Sequence, residues 1–81
     1  MITIRLELKD INGRYAIEEV ISSLGGFFIQ KPGEETPCDI LIMEVGANPE
    51  KDFALASNFQ TSGIAKEVFL TSSITNPEIL I

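Results

Sequence analysis

The sequence predicts one three-layer α/β domain on a mainly parallel sheet. Three observations predict it. Short apolar runs alternate with amphipathic segments of helical spacing. The run Ile40-Leu41-Ile42-Met43 lacks polar alternation, the mark of a strand covered on both faces. Turn-forming residues separate the segments, at Gly25-Gly26, Pro32-Gly33, Pro37, Gly46, Pro49, Gly63 and Pro77.

Each element has its own local reason. From Ile2 to Leu8, apolar residues take every second position and Thr3, Arg5 and Glu7 fall between them, as in a strand with one buried face. Asp10 or Asn12 then offers a helix N-cap. Tyr15, Ile17, Val20, Ile21 and Leu24 recur at helical spacing, and Gly25 stops that helix. Phe27–Ile29 is a short second strand, followed by a loop over Lys31–Pro37. The apolar run through Val45 is the central strand, broken only by Glu44. Asn48-Pro49 is a cap followed by proline at the first helical position. That helix carries Phe53, Leu55, Ala56 and Phe59 and stops near Gly63. Val68-Phe69-Leu70 forms a fourth strand ending at Thr71, and the five phenylalanines are expected to fill the core. Asn76-Pro77-Glu78 starts a further helix, and its apolar residues Ile79, Leu80 and Ile81 predict a truncated domain or an element completed by a second chain.

Composition narrows the function. Eighty-one residues make a single small domain, and one of this size buries only about 60% of its unfolded surface. Six Lys/Arg against twelve Asp/Glu leave a charge of −6, with no two basic residues adjacent, which disfavours a phosphate backbone. Histidine is absent, removing the commonest general base and metal ligand. The lone Cys38 makes neither an internal disulfide nor a thiolate metal site, and it points to a reducing, cytoplasmic compartment. No apolar run is long enough for membrane insertion, and no Gly-rich loop ends in Gly-Lys-Ser/Thr. The composition predicts a non-enzyme without cofactor or metal.

The order of elements, with an acid closing the central strand, resembles the receiver domain of response regulators. The resemblance covers nearly the whole chain, aligned with the amino-terminal two-thirds of the family. Pro37-Cys38-Asp39-Ile40-Leu41-Ile42-Met43-Glu44 is similar to the stretch leading to the phosphoacceptor aspartate. Val68-Phe69-Leu70-Thr71-Ser72 is similar to the fourth strand with its terminal Thr/Ser, and Ser23-Leu24-Gly25 to the end of the first helix. The resemblance implies a flavodoxin-like strand order 2-1-3-4. The family's second helix would be missing, because only eight residues separate Gln30 from Asp39. Such a loop reaches roughly 26 Å, enough to return along one strand, and an antiparallel second strand stays open. The final strand and helix would be missing too.

The same comparison implies a degenerate site. Working receivers bind magnesium through clustered carboxylates and phosphorylate an aspartate, because a hard cation needs oxygen ligands. Here the acidic pair falls on Leu8 and Lys9, or on Lys9 and Asp10. Glu44 holds the phosphoacceptor position and Thr71 the switch position, while the family's lysine would fall on a fifth strand after Ile81. Glu44 is either a fixed anion standing in for a phosphorylated state or a strand-end acid that faces water or caps the following loop, with Lys9 available to pair with it. Within the superfamily, Val68–Ser73 and Asn76-Pro77-Glu78 resemble the non-phosphorylated receivers of CpaE/TadZ-type pilus-assembly ATPases, and free-standing degenerate receivers match equally well. The implied function is a pseudo-receiver that binds a protein partner or forms a homodimer, through Val68, Phe69 and the terminus Ile79, Leu80 and Ile81. The other reading is a phospho-accepting receiver of a two-component phosphorelay, using Asp10 and Glu44.

Overall fold

The computed structural model describes residues 1–31 and 33–72. They form β1 (Ile2–Glu7), α1 (Ile11–Leu24), β2 (Phe27–Ile29), β3 (Cys38–Glu44), α2 (Pro49–Thr61) and β4 (Ala65–Thr71). The four strands are all parallel, in the order β2-β1-β3-β4. The α/β class and the strand order are those expected from the sequence. β2, whose direction was open, runs parallel to β1 with Phe28 beside Thr3.

Alternation along β3 places the helices on opposite faces. Ile40 and Ile42 pack with Ile4, Leu6 and, from α1, Ile17 and Ile21. Leu41 and Met43 pack with Ala65, Val68 and, from α2, Ala56 and Phe59. Successive strand residues point to opposite faces, so α1 and α2 sandwich the sheet. Leu41 is fully buried at the centre of the second cluster.

Local caps set the helix starts. The Asp10 carboxylate accepts from the Asn12 amide at 2.7 Å and begins α1. Asn48 caps α2 from 3.4 Å, with Pro49 at the first helical position. Gly25 leaves α1 with φ 74°, a conformation that favours glycine. No helix stands among the described residues between β2 and β3. Buried Gln30 ties this loop down, its amide donating to the Thr36 carbonyl at 2.9 Å and to the Thr36 hydroxyl at 3.1 Å. Arg14 holds the ends of β1 and β2 to α1 by donating to the carbonyls of Leu6 and Gln30, each at 3.2 Å.

Several expectations need correction. β3 starts two residues before Ile40, at Cys38, and β4 three before Val68, at Ala65. Phe28, Phe53 and Phe69 are about half exposed and do not fill the core. Two helices cannot cover both faces of four strands, so part of the apolar surface stays outside. On α1, only Ile17 and Ile21 of the expected stripe pack inward, and buried Gly13 precedes them at four-residue spacing. Tyr15, Val20 and Leu24 lie off that line and are exposed. The helix expected after Asn76, with Ile79, Leu80 and Ile81, lies outside the described residues.

Candidate functional site

In parallel sheets, ligand sites gather where strands end and helices begin. Here the carboxyl ends of β1 and β3 meet the first turn of α2 around a cavity of about 100 Å³. Its ionisable lining is Glu7, Lys9, Glu44 and Asp52, with Leu55 from α2. A larger hollow of about 500 Å³ is a shallow trough lined by α2 alone, from Lys51 to Thr61, and no second element converges on it.

Glu44 ends β3 and is only 6% exposed. Its Oε1 is buried and has no hydrogen-bond partner among the described residues. The ladder sets Thr71 directly beside it, so the two positions singled out in the sequence do come together. The Thr71 hydroxyl donates to the carbonyl of Ser72 at 3.2 Å. Asp10 does not join them in any bond of its carboxylate, which caps α1.

Lys9 crosses the mouth, but the expected pair with Glu44 is not the one formed. Lys9 Nζ lies 3.5 Å from Asp52 Oδ1, while the Gly46 amide donates to Asp52 Oδ2 at 2.7 Å. The Lys9 stem runs past Gly46, where an added Cβ would meet the flexible end of the lysine and oblige it to shift. The Gly46 amide holds the Asp52 pKa below its ordinary 3.8; partial burial opposes this and Lys9 assists it. Asp52 escaped sequence reasoning because an acid in the first turn of a helix is ordinarily explained by the helix dipole alone. The one available signal was Gly46 two residues after Glu44.

Magnesium, which the receiver resemblance implies, does not fit this donor set. Glu7 Oε1 accepts from Arg5 Nε at 2.8 Å, Asp52 is held by Gly46 and Lys9, and an ammonium lies among the carboxylates. Among the described residues, no three His, Cys, Asp or Glu side chains are grouped so as to hold a metal ion. Cys38 is buried at the start of β3, and burial raises its pKa, so its thiol is held in the unreactive form. No described helix is long and apolar enough to cross a membrane.

Comparison of the chain with models of protein families, with curated proteins and with solved structures finds no match.

Proposed function

We propose that this domain is a receiver-like module that has lost phosphoryl chemistry and works by binding protein, as a homodimer or with another partner. One observation carries the reading: the Gly46 amide holds Asp52 and the Lys9 ammonium lies beside it, at the place where a phosphoryl-transfer site needs free carboxylates around a divalent ion. An internal cation there replaces the counter-charge a metal would supply. The strand order 2-1-3-4 supports the kinship with receivers, and half-exposed Phe69 and Leu70 on the edge strand β4 support the binding role. The net charge of −6 favours proteins over nucleic acids as partners. Free, buried Cys38 suits the cytoplasm.

The juxtaposition of Glu44 and Thr71 favours one second reading, a phospho-accepting receiver of a phosphorelay. Incubation with acetyl phosphate and magnesium, read by intact mass, separates the two. The proposal expects no mass increase. An acyl-phosphate adduct on Glu44 overturns it in favour of the phosphorelay.

A further inference from the structure

We infer that the domain pairs with a second copy of itself along the outer edge of β4, antiparallel and in register about Phe69. This rests on the protein-binding reading above and names its partner. The two edges of the sheet differ: β2 has three residues, whereas β4 has seven. An edge strand carries a row of backbone groups that a neighbouring strand can satisfy. The exposed apolar residues of α1 offer no such row, because a helix bonds its own backbone. Among the described residues nothing pairs with the outer edge of β4. Proline, a common protection of edges, is absent from Ala65–Thr71, and Phe69 and Leu70 stay about half exposed.

Charge selects a second copy and then the register. The chain carries −6 overall, but the seven residues of β4 carry one cation and one anion, Lys66 (also 3.2 Å from Asp39) and Glu67, so two copies of this edge meet without a block of like charge. A two-fold axis normal to the sheet keeps both faces continuous and makes the two β4 strands antiparallel. Centred on Lys66 or Glu67, the axis sets like charges face to face. Centred on Val68, it opposes Glu67 to Phe69 and Lys66 to Leu70, charge against apolar. Centred on Phe69, it opposes Phe69 to Phe69, Val68 to Leu70 and Glu67 to Thr71. Only this last arrangement matches apolar with apolar and polar with polar. It also sets the two half-exposed Phe69 rings side by side on the face that α1 leaves open, where Phe69 adjoins Ile42 in the ladder.

In a two-fold antiparallel pair, only the residue on the axis meets its own copy, with Cα atoms about 4.5–5.5 Å apart, within reach of a disulfide. Phe69→Cys, Val68→Cys and Glu67→Cys, oxidised gently at high micromolar concentration, therefore report the register. The unsubstituted chain, whose only thiol is buried, is the blank. The expected result is a covalent dimer from Phe69→Cys alone; dominant cross-linking from either other variant overturns the register. Because that substitution removes the ring, sedimentation of the unsubstituted chain and of Phe69→Lys accompanies it. A dimer converted to monomer by Phe69→Lys, with an unchanged circular dichroism spectrum, supports the inference. A dimer indifferent to Phe69→Lys overturns the β4 surface and leaves the protein-binding reading standing. A monomer throughout overturns self-pairing, while the acetyl phosphate experiment decides the wider reading separately.

Discussion

α1 and α2 each roof half of one sheet, on opposite faces, and the two halves left open differ from the two covered ones in what their residues do. Under α2, Leu41 is fully buried and Met43 nearly so. On the opposite face of the β3–β4 pair, Phe69 is 55% exposed, although its ladder neighbour Ile42 packs under α1. The β1–β2 pair repeats the contrast with the faces exchanged: Ile4 is buried beneath α1, while Phe28 on the other face is 48% exposed. The lesson is that apolar character marks a strand residue as able to be covered, and the placing of the helices decides whether it is. At the edge the separation is incomplete, since Leu70 lies beside Met43 on the α2 side and is still 45% exposed.

The largest expected effect tests that separation directly. Leu41→Ala should cost about 2–5 kcal/mol in urea unfolding, because a buried cavity forms. Phe69→Ala should stay within about 0.5 kcal/mol in dilute, monomeric solution. Equal losses for the two would erase the distinction between covered and open halves.

Next comes the loop that stands where a crossover helix would. Gln30→Ala frees its bonds to Thr36, and a buried hydrogen-bond loss of this kind costs about 1–3 kcal/mol. Hydrogen exchange should quicken over residues 33–37 while β3 stays protected; uniform quickening would mean that the loop is not a separate unit.

The caps follow. Asp10→Ala should cost about 1 kcal/mol by thermal or urea unfolding, and Asn48→Ala less, since its bond is longer. The reverse ranking would contradict the cap geometry.

The smallest effect concerns acid. The Gly46 amide and Lys9 depress the Asp52 pKa, and the Thr3 amide and Lys66 depress that of Asp39. A depressed carboxylate contributes stability that is present above its unfolded value and lost as pH falls through the folded one. Stability should therefore decline below the ordinary carboxylate value of 3.8. Asp52→Asn should flatten the decline in an acid titration followed by circular dichroism, and an unchanged slope would show that Asp52 gains nothing from its partners.

Most of the architecture was legible in the sequence. The alternation of Ile2–Leu8, the Asn48-Pro49 start and the unbroken Ile40–Met43 run each predict an element that exists. What stayed hidden depended on neighbours distant in the chain. The charges of Lys66 and Glu67 concealed the first half of β4, because an edge strand tolerates them where a central one does not. The phenylalanines were misplaced because periodicity does not count how many helices are available to cover them. At the site, Glu44 and Thr71 were legible as strand ends. The Lys9–Asp52 pair was not, since it spans 43 positions and joins the end of β1 to the first turn of α2.

In the proposed pseudo-receiver, Lys9 stands beside Asp52 where a divalent cation would sit. Titration of the isotopically labelled protein with magnesium chloride, at constant ionic strength, tests it most directly. No saturable shifts are expected at Glu44, Gly46, Asp52 or Thr71. Saturable, localised shifts at those four residues, abolished by Glu44→Gln, would contradict it.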